Sequence, residues 1–529
     1  MSRPRLSGTK QAALALAGAV ALFSWPESPA ATLAAQQRQS IGSAVPRDPQ
    51  PRTVRRRTPA RARALADARE RRLDYVPGEV IVKFRGGMSS VLRQRALTTL
   101  RSRPRVSDLE WHGDVALLND ATEPDAHVLA QQLRSQPEVE YAEPNYLVRV
   151  ERGERVKLDP AADAQPTFTP NDPFYTSHQW NFSALGMPRA WDINAGATSD
   201  IKVAIVDTGV TTVNQTFNFP YWNGTAIQTI AMPFAISPGM SAGRLTAARD
   251  FVFGQTVLDL DGHGTHVAAT VAEATNDMSR TAGIAYNAVI IPVKVCTGFW
   301  DEQIDRSSRG ITGRADADDA GCTVLDIADG IEYAAEQGAR VINVSLGGPG
   351  AANVLREAID FAVRRGAFVS IAMGNDFEDD NPISYPAKYA ENFMGAMSVA
   401  AVTRSLDSRA RYSGTGSHCE IAAPGGDFLR DGPTGLIYQT MLDEPSFTAI
   451  APAFNSYPII GIQGTSMASP HVAGLAALIM SQTPGITPAQ VEARIRATAR
   501  DLGTPGKDDE FGYGLIQPRA ALFGQGIRR

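Results

Sequence analysis

From Met467 to Met480 only Ser469 and His471 are strongly polar. A helix of that composition is apolar on every face and must be buried on every face, which requires a large domain built around it. A turn of small residues, Gly461-Ile462-Gln463-Gly464-Thr465-Ser466, runs directly into it. Pro470 is expected in the first helical turn, where backbone N–H groups lack intrahelical partners and proline is tolerated. Those free N–H groups and the positive end of the helix dipole would lie beside the Ser466 hydroxyl and stabilise a developing oxyanion. A serine ahead of a helix can equally serve as its N-cap.

The chain has 529 residues, 43% of them hydrophobic, enough for a large core and for more than one domain. Its net charge of -5 hides two parts of opposite sign, since residues 1–170 carry +7 and residues 171–529 carry -12. Such asymmetry suits either a basic nucleic-acid arm or two segments of one precursor that attract each other. Arg3, Arg5 and Lys10 precede an apolar run over residues 12–23 and a Pro- and Ala-containing exit, the three-part form of a secretory signal, placed at residues 1–35. That run is too short to span a bilayer, and no other stretch is long and apolar enough, so a soluble protein outside the cytoplasm is expected. Residues 36–76, dominated by Arg, Ala, Pro and Gln, predict a basic leader that is disordered or partly helical. No aromatic residues are interleaved with its arginines, which argues against nucleic acid as a partner.

Residues 77–150 predict a small α+β domain, with strands at 80–84, 115–118 and 139–143 and helices at 91–100 and 125–136. A unit of that size gains from packing on a partner. Residues 151–170 are polar and proline-containing without sustained periodicity, and predict a linker. In residues 171–525, β-branched runs at 201–206, 341–346 and 367–372 alternate with helical patterns at 327–337 and 354–365. That alternation predicts an α/β fold with a doubly wound, mostly parallel sheet. Thr487-Pro488-Ala489-Gln490 combines an N-cap, a proline at the first helical position and a capping-box glutamine, opening a last helix.

In open parallel sheets ligands gather at the carboxyl ends of the strands, and Asp207-Thr208-Gly209 follows the 201–206 run. Alone, Asp207 reads as a turn residue. A second motif, Asp261-Gly262-His263-Gly264-Thr265-His266-Val267-Ala268, sets a histidine among small residues ahead of an apolar helix. A buried carboxylate can hold an imidazole in one tautomer, and that imidazole can take the proton of a serine hydroxyl. Asp207, His263 and Ser466 supply those three parts.

These segments, in the order Asp, His, Ser, resemble the subtilisin-like serine peptidases, or subtilases, over residues 171–522, with the motif from Gly464 to Gly474 the most specific. The resemblance implies a secreted serine endopeptidase with Ser466 as nucleophile, His263 as general base and acid, and Asp207 as orienting carboxylate. It also implies that Asn375, in Ala372-Met373-Gly374-Asn375, donates to the oxyanion, and that Ser345-Leu346-Gly347 is the edge on which a peptide substrate pairs. Met373 stands where family members often carry alanine, which implies a narrower specificity pocket. Residues 77–150 look like the family's inhibitory propeptide, and Asn171-Asp172-Pro173-Phe174-Tyr175 like the start of a mature enzyme. The precursor is then a signal, a leader, an inhibitory propeptide that is the enzyme's own partner, and a monomeric peptidase, with no membrane or nucleic-acid partner.

A serine esterase is the first rival, because Gly464-Thr465-Ser466-Met467-Ala468 misses the G-x-S-x-G elbow by one residue, and the order of the triad argues against it. A catalytically silent binding protein is the second, and the complete triad argues against that. No cofactor is expected for the chemistry. Structural calcium fits the family, although Asp316, Asp318 and Asp319 read first as a solvated charge run. His266 lacks a third ligand at helical spacing and reads, like His471, as a packing residue rather than a zinc ligand. Three cysteines in an exported chain leave one unpaired. Cys296 and Cys322 bracket a polar insert that the subtilase pattern places beside the peptide cleft, so they are the expected pair, with Cys419 free. A pairing of either with Cys419 also satisfies the spacing.

Overall fold

A computed structural model describes residues 61–523, apart from 62–63, 66–67, 69–70, 72, 149–154, 158–169, 254–255 and 316–320. The signal assignment, most of the leader and the Asp316, Asp318 and Asp319 run lie outside the described residues. Within the leader, Arg61, Ala64, Leu65 and Ala68 are helical, and Leu65 and Ala68 are buried. Leucine and alanine at this spacing share one helix face, and a neighbour to pack on supplies the burial that the segment lacks by itself.

Four strands form the small domain: β1 (Tyr75–Phe84), β2 (Glu110–His112), β3 (Val115–Asn119) and β4 (Val139–Val148). Helices Ser90–Leu97 and Ala126–Arg134 accompany them. Asp125 caps the second helix by accepting the His127 and Val128 N–H groups. Strand β1 begins five residues earlier than the apolar run suggests, because Tyr75 pairs with Tyr146 across a bulge. The chain then forms β5 (Arg155–Lys157) inside the expected linker. Its register comes from a strand just over three hundred positions later in sequence, Ile459–Ile462, a partner that no local pattern announces.

The large sheet is built from β6 (Lys202–Asp207), β9 (Arg249–Asp250), β10 (Val289–Lys294), β13 (Val341–Val344), β14 (Phe368–Ala372), β15 (Ala396–Val402) and β16 (Ile421–Pro424). Between these lie the hairpin β7 (Gln215–Trp222) and β8 (Ile227–Phe234) and the short strands β11 (Cys296–Thr297) and β12 (Gly321–Thr323). The strand order is β16-β15-β14-β13-β6-β10-β9, with parallel pairing throughout. Chain order reverses beside β6, which puts its carboxyl end at the switch point of the sheet. Alternate residues of β6 serve opposite faces. Val203 and Ile205 join the core that holds helices His263–Ala272 and Thr465–Gln482, whereas Ala204 and Val206 join the core under Val324–Glu336 and Asn353–Arg364. Thr465–Gln482 is buried continuously from Thr465 to Met480, as its composition requires. Thr487 and Gln490 form the expected capping box. A final hairpin, β17 (Ile437–Thr440) with β18 (Ile459–Ile462), precedes the buried helix.

Strand β4 of the small domain continues into the large one by pairing antiparallel with β12, which pairs with β11. Cys296 and Cys322 face each other in that last pair and form a disulfide, leaving Cys419 a buried free thiol. The insert between them contains the helix Phe299–Ser308. Closing a loop with a sequence separation of 26 should contribute about 3 kcal/mol through the unfolded chain. Replacing both cysteines by alanine is therefore expected to lower the unfolding free energy by about that amount. Denaturant titration checks it, and an unchanged midpoint with an unchanged slope would show that the bridge contributes nothing.

Candidate active site

The buried helix begins at Thr465 after Gly464, so Ser466 is its second residue rather than its cap. Pro470 therefore sits beyond the first turn, a correction to the sequence-based placement. Lacking an N–H, Pro470 cannot bond the carbonyl of Ser466 four residues back. That carbonyl instead accepts the Ser345 hydroxyl at 2.8 Å. In return the Ser466 hydroxyl donates to the Ser345 carbonyl at 3.1 Å. Asn343 Nδ2 donates to Ser345 Oγ, and Ser469 Oγ donates to Asn343 Oδ1, each at 2.8 Å. Ser370 Oγ lies 2.9 Å from both the carbonyl and the hydroxyl oxygen of Ser469. All five residues are buried, so this network ties the polar start of an apolar helix to β13 and β14.

Asp207, fully buried at the end of β6, holds His263 by a 2.8 Å bond between Oδ1 and Nδ1. The same Oδ1 accepts the Thr208 N–H at 2.7 Å. His263 Nε2 is buried and has no hydrogen-bond partner among the described residues, because the Ser466 hydroxyl is turned toward Ser345. Gly264 lets the histidine helix close on the aspartate turn, since a Cβ there would stand 2.2 Å from the Gly209 carbonyl oxygen. Thr208 joins the two motifs by accepting the Gly264 N–H at 2.9 Å and donating to Asp259 at 3.1 Å.

Asp259 is a site residue that the sequence reading missed. Its carboxylate also accepts the N–H groups of Asp261, Gly262 and Thr265 and the Thr265 hydroxyl. Fully buried, it shapes the turn that presents His263. The signal was a lone acid between apolar residues, Leu258-Asp259-Leu260, close ahead of the histidine.

Asn375 Oδ1 accepts the Thr465 N–H at 2.8 Å and the Thr465 hydroxyl at 2.9 Å. This fixes the side-chain amide with Nδ2 toward Gly464, beside Ser466. Ser345, Leu346 and Gly347 are buried. The end of β4 lies against the following residue: a Cβ on Gly348 would stand 3.7 Å from Val148 Cα and 3.8 Å from the Leu147 carbonyl oxygen. On its other side, Leu147 and Val148 pair with Thr323 and Cys322. The small domain thus places its last strand between β12 and Gly348.

Glu143 anchors that placement by accepting the Asn353 and Val354 N–H groups at the start of the Asn353–Arg364 helix. Burial raises its carboxyl, and these N–H donors act against that rise. Lys83 bonds Glu357 at 2.9 Å, and His112 Nδ1 lies 2.8 Å from Asp329.

Residues 198–514 match the Subtilase family, and residues 62–145 match the Fervidolysin N-terminal prodomain. The chain belongs to the subtilase family. It is a serine-type peptidase with an N-terminal prodomain, of a family that needs no cofactor for catalysis. A thermophilic serine proteinase of Bacillus sp. (strain AK1) is 30% identical over 454 residues, 85% of this chain and 88% of that one. Thermitase of Thermoactinomyces vulgaris is 33% identical over 340 residues, 64% of this chain and 94% of its own length. The crystal structure of fervidolysin from Fervidobacterium pennivorans shares the fold, with a TM-score of 0.58 and 22% identity, covering 86% of this chain and 62% of that one.

Several residues of the subtilase motifs have plain structural partners. His266 Nε2 meets the Ile437 carbonyl, and His471 bridges Asn181 and the Met467 carbonyl, with burial pushing its pKa down to about 4. Met373 is 1% exposed within the main core. For calcium, no group of three or more acidic, histidine or cysteine side chains is placed to hold a metal ion among the described residues. No described helix is long and apolar enough to cross a membrane.

Asp259→Ala removes the acceptor of five buried donors. It is expected to destabilise the protein by about 3 kcal/mol or more. Chemical denaturation checks this, and a loss below about 1 kcal/mol would show that water replaces the carboxylate.

Proposed function

We propose that this subtilase is a secreted endopeptidase, made as an inactive precursor that cuts itself, and that hydrolysis proceeds through an acyl-enzyme on Ser466. The reading is carried by the course of the chain around the serine. It enters between Cys322 and Gly348 at Val148, and it next pairs at Arg155–Lys157 with Ile459–Ile462, the strand leading to Ser466. The peptide bond first cut therefore lies between Val148 and Arg155. In this reading the first N-terminus of the mature enzyme lies ahead of Asn171, the start that the subtilase resemblance implies.

In this reading a substrate lies along Ser345, Leu346 and Gly347, and a substrate N–H takes the Ser345 carbonyl that now accepts the Ser466 hydroxyl. The hydroxyl, released, turns to the open Nε2 of His263. His263 takes its proton as Oγ bonds to the substrate carbonyl carbon, while Asp207 holds the ring by Nδ1 and stabilises the imidazolium. The oxyanion receives Asn375 Nδ2–H and the Ser466 N–H, which at the second helical position has no intrahelical acceptor. Collapse breaks the C–N bond, and the departing amine takes the proton from His263. Water, deprotonated by the same imidazole, then frees the acid and restores Ser466. Until the first cut, the prodomain strand occupies the cleft and excludes other peptides. The paired rims and the Glu143 anchor support its role as an intramolecular inhibitor.

Two measurements test the reading. Ser466→Ala is expected to fold, to hydrolyse nothing and to accumulate as a precursor, whereas the wild type yields a new N-terminus between residues 149 and 155. Maturation of that variant in a host without other proteases would rule out self-cleavage, and an initial cut elsewhere would rule out the threading. Asn375→Ala is expected to lower kcat roughly a hundred- to a thousandfold with little change in KM. An effect confined to KM would remove Asn375 from the oxyanion site.

A further inference from the structure

We propose that Lys294 and Asp301 are positioning residues for Asp207 and His263, acting through the insert that the Cys296–Cys322 bridge closes. This rests on the catalytic reading above and extends it to a residue pair that touches neither the substrate path nor a reacting atom.

Lys294 ends β10 in register with Asp207 at the end of β6. Its side chain is 1% exposed, and Nζ donates to the Thr208 carbonyl at 2.6 Å and to Asp301 Oδ2 at 3.1 Å. A buried ammonium needs such partners, and the paired carboxylate lets it stay charged against Thr208. Thr208 is the residue whose N–H bonds Asp207 Oδ1 and whose hydroxyl takes the Gly264 N–H. Holding its carbonyl therefore holds the turn that aims the Asp207 carboxylate.

The same insert turn reaches the histidine. Asp301 Oδ2 accepts the Gly298 N–H at 2.8 Å, which fixes the start of the Phe299–Ser308 helix. Gly298 in turn lies so close to Asp261 that a Cβ on it would stand 2.8 Å from Asp261 Oδ2. Asp261 Oδ1 accepts the His263 N–H at 3.1 Å. One turn, from Gly298 to Asp301, thus bears on both loops of the Asp–His pair.

Behind this turn Lys294 and Asp301 line a cavity of about 300 Å³ together with Asp250, Leu258, Leu260 and Ile304. Close packing does not fill that side, so the ionic hydrogen bonds carry the positioning. Burial raises the Asp301 carboxyl to about 6, with Lys294 lowering it and Asp250 raising it further.

Asp301→Asn keeps the size and the Gly298 bond but removes the charge facing Lys294. In the matured enzyme, kcat is expected to fall roughly ten- to a hundredfold with KM within about twofold, as for a small misplacement of catalytic groups. Should that variant fail to fold, the double change Lys294→Met and Asp301→Leu leaves no lone charge and is expected to show the same kcat loss. Wild-type kcat in the folded variant, or a loss confined to KM or thermal stability, would overturn the proposal. Ser466→Ala measured alongside separates the two levels: hydrolysis near the wild-type rate there defeats the catalytic reading, whereas an unaffected Asp301→Asn defeats only this inference.

Discussion

The exchange of hydrogen bonds between Ser345 and Ser466 is the contact through which the sheet and the central helix become one site. It exists because Pro470 leaves the Ser466 carbonyl without its intrahelical donor. A carbonyl buried in an apolar core without a partner costs about 1–3 kcal/mol, so the fold must bring a donor to it. The donor comes from the end of β13, and Asn343, Ser370 and Ser469 complete the set. The position of Ser466 relative to the sheet follows from satisfying these groups rather than from apolar packing, which is directionless.

Around that contact the structure repeats one device, a buried carboxylate gathering donors from separate segments. Asp259 ties the Thr208 turn to the His263 turn, Glu143 ties the prodomain to the Asn353–Arg364 helix, and Asp301 ties the disulfide-closed insert to Lys294. Each takes several short bonds, which offsets the cost of removing a charge from water. A site built this way holds its angles without relying on loop stiffness. The sheet between prodomain and peptidase works differently, by main-chain pairing, and so accepts any side chains that fit the two rims.

The elements of the large domain were legible because their apolar periods are strong. The 201–206 and 367–372 runs became β6 and β14 to within a residue or two, and the capping box at Thr487 marked its helix. The hairpin Gln215–Phe234 was not read, since its exposed and half-buried residues alternate around aromatics that pack only on Trp300, Phe454 and their neighbours. Strand Arg155–Lys157 lies in a segment whose composition predicts a linker, because its partner lies far along the chain.

Sequence by itself determined the family, the parallel sheet and Asp207, His263 and Ser466 as the residues to examine, while the subtilase resemblance added Asn375 and a preference for the Cys296–Cys322 pair that the structure then decided. The sheet and the three motif residues were legible because they are encoded locally, by small residues around a reactive side chain or by an apolar period. Tertiary structure alone decided that Asp207 meets His263, that Ser466 rests on Ser345 with His263 Nε2 left open, that Asn375 is oriented by Thr465, and that β4 lies between Cys322 and Gly348. It also decided that Asp259, Lys294 and Asp301 belong to the same arrangement. Those facts depend on hydrogen bonds between segments tens to hundreds of residues apart, whose directions exist only once the sheet has brought the strand ends together.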